Sequence, residues 1–186
     1  MFDFDSNHQF AHSSPRVVAL RQQKQSIEAR RRDIYDSHRH RTFSLAYYMT
    51  GNEIEAEEIL TGTFVNAFRA VEEPTGRDVD AALIDELQQR AYLDSDAAAP
   101  APAPAEPSGE LLARNVKRTE LEEAIQELPS AERLLFLLRD VEGYTPVAIA
   151  QLLRIPESQV QRRLFAARIQ LRHILAGAQS GEQRAA

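Results

Sequence analysis

The sequence contains no cysteine in its 186 residues, and this absence excludes several kinds of chemistry. Without thiols the chain has no disulfides, no thiolate metal ligands and no cysteine nucleophile, which fits a reducing compartment. Glycine-rich phosphate loops, zinc patterns and nucleophile motifs are missing as well. His38 and His40 lie two residues apart, on different sides of a helix, and do not form a metal site. We therefore predict no enzyme activity, no cofactor and no bound metal, and a cytoplasmic location.

Long apolar segments are also missing. No run approaches the roughly 20 residues that a membrane-spanning helix requires. The segment MFDFDSNHQFAHSS carries acids where an export signal has a basic start and a continuous apolar core, so we expect neither export nor a membrane contact. The net charge of −6 argues against a surface that is basic throughout and binds nucleic acids nonspecifically. Local charge is therefore the informative quantity.

Alanine and proline alternate in the segment DAAAPAPAPAEPSG, residues 96–109. Repeated proline cannot continue a helix or donate to a sheet, which predicts an extended, semi-rigid linker. The linker separates a domain at residues 16–95 from a domain at residues 110–177, with a disordered tail at 1–15 and a flexible tail at 178–186. Apolar residues recur at helical spacing in both domains, and no strand pattern competes with them. The predicted fold is all-α, with two small helical domains.

Caps and breakers set the limits of the predicted helices. The first domain is predicted to contain helices near residues 17–32, 34–47, 53–71 and 79–93. In the second domain a helix at 111–128 precedes one that Ser130 caps and Gly143 ends, with the apolar residues of the LLFLL segment in the core. Thr145 is predicted to cap the next helix, with Pro146 at its first position. The last helix is predicted at 157–175.

A break at residues 154–156 separates the last two predicted helices, which is typical of a helix-turn-helix whose second helix lies in the DNA major groove. Four arginines and one acid lie between Glu157 and His173, a local charge of about +3 in an acidic chain. The same arginines would also fit the solvated face of an ordinary helical bundle. Charge and periodicity alone leave both interpretations open.

Residues 121–175 resemble region 4 of bacterial extracytoplasmic-function sigma factors. The matching positions are Leu128-Pro129, Arg133, Leu138-Arg139-Asp140, Glu142-Gly143, Ile149-Ala150, Ile155-Pro156, Val160, Arg163-Leu164, Ala167-Arg168 and Leu171. Residues 33–70 are similar to the start of sigma region 2, through Ala56-Glu57-Glu58, Phe64 and Phe68-Arg69. The order of the two blocks around a linker also agrees with this family.

The resemblance implies a sigma factor that binds core RNA polymerase and directs it to promoter DNA, with an anti-sigma factor as a further candidate partner. Region 2 would contact polymerase and read the −10 element, and region 4 would read the −35 element. The implied polymerase contacts are Glu57, Glu58, Phe64 and Arg69. The implied DNA contacts are Ser158, Gln159, Gln161, Arg162 and Arg163, with Arg168 placed farther along the helix near phosphate.

The sequence departs from this family at several positions. Arg154 stands at a turn position that glycine usually holds, and Phe165-Ala166 replaces a small polar residue and a basic one. Gly62 interrupts the second predicted helix. Residues 77–96, where the family captures the unwound −10 strand, contain two basic residues, six acids and one aromatic residue, Tyr92. Single-stranded DNA requires stacking platforms and positive charge, and this segment offers little of either.

Two other functions compete with a sigma factor. A sigma mimic would keep the shape but sequester an anti-sigma factor or occupy polymerase without initiating, and the acidic third helix favours it. A simple helix-turn-helix regulator would make no polymerase contacts, and the retained Ala56-Glu57-Glu58 block argues against it.

Overall fold

In the computed structural model of the protein, the described residues are 15–91, 93 and 117–185, with side chains described within 23–91, 93 and 117–177. These residues form seven α-helices and no strand, which confirms the all-α prediction. The predicted linker at 96–109 lies outside the described residues, as do Tyr92 and nearly all of the predicted tail at 1–15.

The amino-terminal half consists of three helices, α1 (Pro15–Thr50), α2 (Glu53–Ala70) and α3 (Gly76–Arg90). The helices predicted at 17–32 and 34–47 are one continuous helix, α1. Gly51 has a φ of 70° and ends α1, and the side chain of Asn52 then caps α2 by accepting from the Ile54 N–H at 2.9 Å. The N–H and hydroxyl of Thr75 both donate to Asp78 in the first turn of α3.

The carboxyl-terminal half consists of α4 (Arg118–Glu127), α5 (Ser130–Phe136), α6 (Pro146–Leu153) and α7 (Glu157–Ala185). A π-helical segment, Leu137–Val141, extends α5. The cap predicted at Ser130 is wrong, because Pro129 occupies the cap position and the Ser130 hydroxyl donates to the Ala91 carbonyl at 3.2 Å. The backbone of α7 continues to Ala185, so the tail predicted from residue 178 begins inside this helix.

One apolar core joins the two halves. Leu134, Leu135 and Leu137 are buried in it and Phe136 is partly buried, which confirms their prediction as core residues. The amino-terminal half contributes mainly the end of α1 and the inner side of α3. The members of this cluster with the least exposure include Ala46, Ala56, Ile59, Leu83, Leu87, Ala91, Leu128, Leu138, Ile149, Leu153, Val160 and Ala167. A smaller cluster of Phe64, Ala67 and Val79 lies between α2 and α3.

Candidate nucleic-acid interface

A helix-turn-helix is formed by α6 and α7. The Thr145 hydroxyl oxygen accepts from the Ala148 N–H at 3.1 Å and so caps α6, as predicted. Pro146 occupies the first position of α6, where its missing N–H would have had no intrahelical partner. Both features follow directly from the Thr-Pro pair in the sequence.

Arg154 makes the turn between the two helices. Its φ of 55° and ψ of 40° place it in the left-handed region, where glycine is normally favoured. The Ile155 N–H donates to the Ala150 carbonyl at 3.1 Å and closes the turn. The chain therefore keeps the turn at this position in spite of the missing glycine, and it accepts some backbone strain.

Apolar side chains fix α7 against α6 and α5. Along α7, Val160, Leu164, Ala167 and Leu171 are buried at helical spacing. The α6 residues Ile149 and Leu153 are almost completely buried against them. This packing orients α7, so the opposite side of the helix faces away from the core.

The opposite side of α7 carries a polar and basic surface, which we call the recognition face. Its members are exposed and recur every three or four residues along the helix: Ser158, Gln161, Arg162, Phe165, Arg168 and Arg172. Three of these residues are arginines, which makes this surface positive within an acidic chain. Gln159, another predicted DNA contact, is only half-exposed at the edge of this face.

Gln161 is held in place by a neighbour on its own helix. Its amide Nε2 donates to Glu157 Oε1 at 2.8 Å. A glutamine amide has two N–H groups and a carbonyl oxygen, so one N–H and the oxygen can still pair with an adenine edge. The contact with Glu157 therefore orients this side chain without using up its capacity for base recognition.

Arg168 forms an ion pair with Asp140, which lies in the π-helical segment. Its Nη2 and Nε atoms lie 2.7 and 3.3 Å from the two carboxylate oxygens. The arginine side chain is 48% exposed, and an exposed pair of this kind contributes only about 0–1 kcal/mol. Arg168 can therefore exchange this partner for a phosphate at small cost.

Arg163 lies in the core, which corrects the prediction that it faces DNA. Its Nη1 donates to Glu132 Oε1 at 2.9 Å, and both side chains are 2% exposed. A buried carboxylate requires a charged partner because desolvation of an isolated ion is costly. Arg163 therefore connects α7 to α5 and has a structural role, whereas the adjacent Arg162 projects into solvent.

The predicted polymerase contacts also include both exposed and buried side chains. Glu57, Glu58 and Arg69 are exposed on α2. Phe64 is only 5% exposed and packs edge-on against Tyr35, with ring centroids 4.8 Å apart. The prediction that Phe64 contacts polymerase is corrected, because its ring is part of the core between α1, α2 and α3.

Sequence reasoning missed two residues. Phe165 is 63% exposed in the middle of the recognition face, and the signal was an aromatic residue seven positions after Ser158. Arg133 was noted only as a family position. Its guanidinium donates to the Met49 carbonyl at 2.6 Å and the Leu128 carbonyl at 2.8 Å, and no local pattern predicts these partners.

Two further features are absent from the described part of the chain. No group of three or more His, Asp and Glu residues there is arranged to hold a metal ion. None of the helices within the described ranges is both long and apolar enough to cross a membrane.

The comparison with protein families agrees with this geometry. Residues 118–171, which run from the start of α4 into α7, match the family described as sigma-70, region 4. No curated protein matches the chain. The matched residues contain the helix-turn-helix, the buried Arg163–Glu132 pair and nearly all of the recognition face. This part of the chain is therefore similar to sigma-70 region 4.

Proposed function

We propose that this protein is a sigma factor of the extracytoplasmic-function type, which binds core RNA polymerase and directs it to promoters. The observation that carries the proposal is the exposed recognition face of α7 within a domain similar to sigma-70 region 4. The domain match supports recognition of a −35 element. Polymerase binding and initiation are the further steps of the proposal.

The chemistry of the recognition face suits a major groove. Arginine can bond guanine bidentately and glutamine can bond adenine bidentately, so Arg162 and Gln161 are the residues that select bases. Ser158, in the first turn of α7, is placed to donate to a phosphate where the helix N-terminus favours negative charge. Arg168 and Arg172 are suited to phosphate contacts farther along the groove.

The amino-terminal half supplies the proposed contact with polymerase. Glu57 and Glu58 are exposed on α2, and Arg69 is exposed in its last turn. These three side chains form the polar part of a surface that is free to meet a partner. An anti-sigma factor that bound this surface would compete with polymerase and inhibit the protein. A sigma factor of this type acts in the cytoplasm, which is the proposed location of the protein.

Transcription by a defined polymerase tests the proposal. Purified protein and core RNA polymerase are incubated with a promoter library, and run-off transcripts are sequenced. We expect specific initiation that is lost in an Arg162→Ala variant. Lys117→Ala is the matched control, because it removes one exposed positive charge directly before α4, outside the recognition face. Initiation that is indifferent to Arg162 would contradict base reading by α7.

An acidic α3 favours the alternative of a sigma mimic. The helix carries four acids and two arginines, a poor composition for holding unwound DNA. A mimic would bind core polymerase or an anti-sigma factor and give no transcripts from any promoter. The transcription assay therefore separates the two functions when polymerase binding is measured in parallel.

A further inference from the structure

The first half of α1 is strongly basic. Residues 15–32 contain six basic residues and one acid, Glu28, in a chain whose net charge is −6. We call residues 15–32 the basic arm. Its charge belongs neither to the recognition face of α7 nor to the proposed contacts with polymerase on α2, so it needs an explanation of its own.

The basic arm extends beyond the helices that pack against the rest of α1. α1 has 36 residues, whereas α2 has 18 and α3 has 15. From Gln23 to Arg30 every side chain except that of Ile27 is exposed. Arg31 fixes the base of the arm, because its Nη2 donates to the Phe68 carbonyl at 3.1 Å and its guanidinium carbon lies 5.6 Å from the centre of the Phe68 ring. The residues before this contact therefore project from the domain as a continuous helix.

Three exposed basic side chains of the arm are available to a partner. Lys24 lies 4.0 Å from Glu28, and both side chains are more than half exposed. Arg30 lies 3.2 Å from Glu73, again with both side chains more than half exposed. Exposed pairs of this kind add little to stability and exchange easily for another anion. Arg32 is exposed and has no ion pair within the part of the chain that the structure describes.

These charges are distributed around the helix. Arg30 and Arg32 point to different sides, because residues two positions apart on an α-helix do not share a face. Lys24 and Arg32 are separated by about 12 Å along the helix axis, at a rise of 1.5 Å per residue. The arm is therefore positive on more than one side and along two turns of its length.

A ligand with negative charge on two sides of a helix fits this arrangement. In duplex DNA the phosphates of both strands flank a major groove about 12 Å wide, which admits an α-helix. A membrane surface fits less well, because a helix that lies on it needs an apolar face opposite its charged face. Between residues 23 and 32 the apolar side chains are those of Ile27 and Ala29 alone. The distribution of charge therefore favours a DNA groove.

The arm lies far from the proposed polymerase contacts. Glu57 and Glu58 are in the second turn of α2, near the turn that joins α2 to α1. Arg30 meets Glu73, beyond the other end of α2. The part of α2 from Glu57 to Ala70 alone spans about 20 Å. The arm can therefore bind DNA while the exposed acids of α2 contact another partner.

We propose that the basic arm is a second DNA-binding element, which lies in a groove of duplex DNA and binds phosphates on both sides of the helix. Lys24, Arg30 and Arg32 make the phosphate contacts, and Arg31 holds the arm on α2. Phosphate contacts position a protein on DNA without selecting bases. The arm thus supplies the positive charge that the acidic α3 lacks. This inference goes beyond the proposed function, because it applies whether or not the protein initiates transcription.

The salt dependence of DNA binding by the full-length protein tests the arm without polymerase. Fluorescence anisotropy with a short duplex of mixed sequence gives the binding constant K at several salt concentrations. Each phosphate contact contributes about 0.9 to the slope of log K against log salt concentration. Lys24→Gln, Arg30→Gln and Arg32→Gln should therefore each reduce the slope by about one, and the triple variant should reduce it by about three.

Two further variants separate the arm from a general effect of charge. Lys117→Gln is the matched control, because it removes one exposed positive charge directly before α4, and it should leave the slope unchanged. Arg32→Lys keeps the charge on the arm and should keep the slope. The inference is wrong if the unaltered protein binds no duplex, if the arm variants keep the slope, or if Lys117→Gln reduces it equally.

A comparison with RNA tests the groove. An RNA duplex of the same length carries the same phosphate charge, but its major groove is deep and narrow and does not admit side chains. The triple variant should therefore lose about tenfold more affinity for the DNA duplex than for the RNA duplex. An equal loss for both would mean that the arm is attracted to any polyanion, and the groove contact would be wrong.

Crosslinking locates the contact directly. Because the chain has no cysteine, Gln25→Cys places one photoreactive group on the arm, and Thr61→Cys places one at an exposed position of α2 as the control. We expect duplex DNA to be crosslinked from Gln25→Cys and not from Thr61→Cys. Absence of crosslinks from the arm, or preferential binding of the protein to vesicles of anionic phospholipid, would overturn the inference.

The inference and the proposed function fail in different experiments. DNA binding that does not depend on the arm would overturn the inference and leave the proposed function standing. Arm-dependent DNA binding by a protein that gives no transcripts with core polymerase would contradict the proposed function alone.

Discussion

Arg163 of α7 and Glu132 of α5 form an ion pair of 2.9 Å in which both side chains are 2% exposed. The two residues are 31 positions apart in sequence, and the pair joins α7 to α5, on which α7 packs. Its position explains why two neighbouring arginines, Arg162 and Arg163, have different roles.

Removal of one partner of this pair should destabilise the domain. Arg163→Ala leaves Glu132 buried without its charged partner, and we expect a loss of about 3–5 kcal/mol in the free energy of unfolding. Denaturant unfolding followed by circular dichroism measures this loss. An Arg163→Met, Glu132→Leu double variant should recover most of the stability, because apolar side chains of similar size replace a buried pair well. If Arg163→Ala were as stable as the unaltered protein, the pair would not have the role assigned here.

Arg162→Ala should change DNA selectivity while the fold stays intact. Loss of a bidentate base contact is expected to weaken binding to the preferred −35 sequence by about 1–3 kcal/mol and to relax the choice of base at one position. Fluorescence anisotropy with a set of single-base variants at two salt concentrations measures both effects. If binding to all sequences were weakened equally, and the slope of log K against log salt concentration fell by about one, Arg162 would contact a phosphate instead of a base.

Phe165 is expected to recognise a thymine methyl group, since an exposed ring between basic residues can make apolar contact in the major groove. Uracil differs from thymine only by this methyl group. The unaltered protein should therefore bind a thymine-containing site more tightly than its uracil counterpart at one position, and Phe165→Ala should abolish that difference. Equal loss of affinity for both sites in the variant would mean that the ring contributes only shape or helix stability.

Alanine substitution of two glycines at positive φ allows the cost of backbone strain to be compared with the cost of disturbing a contact between the two halves of the chain. Gly51→Ala and Gly143→Ala should each cost about 1–2 kcal/mol, because both residues are in the left-handed region, at φ values of 70° and 78°. An added Cβ at Gly51 would also lie 2.7 Å from the Gln126 side chain, which caps α1, whereas one at Gly143 meets nothing within 4 Å. Gly51→Ala should therefore be the more destabilising in thermal unfolding. An equal effect would mean that Gln126 moves aside freely.

Acid should remove a contribution of Asp78 to stability. The hydroxyl and N–H of Thr75 donate to the carboxylate and hold the pKa of Asp78 below its ordinary value of 3.8. A carboxyl group with a lowered pKa stabilises the folded state above its unfolded pKa, and this stabilisation is lost as the pH falls through the folded value. Carbon-13 NMR titration should give a pKa below 3.8, and Thr75→Ala should raise it. An ordinary value before substitution would contradict the prediction.

Local sequence signals predicted much of the fold. The Thr145-Pro146 pair set the start of α6, and apolar spacing predicted α2, α3 and α7 together with the buried residues of the LLFLL segment. These predictions succeeded because capping and amphipathic periodicity depend on residues within a few positions of each other. The helices predicted at 17–32 and 34–47 are one helix, α1, because the polar segment before Ile34 continues a helix whose far end is packed in the core.

The sequence alone determined an all-α chain with a basic helix-turn-helix, because those features depend on short-range spacing and charge. Only the tertiary structure decided that Arg163 and Phe64 are buried, that the Ser130 hydroxyl bonds the Ala91 carbonyl, and that Arg133 caps α1. Each of these outcomes depends on a partner 29 to 84 residues away. The docking of the two halves has the same origin: it depends on the fit of apolar and polar groups that only the folded chain brings together.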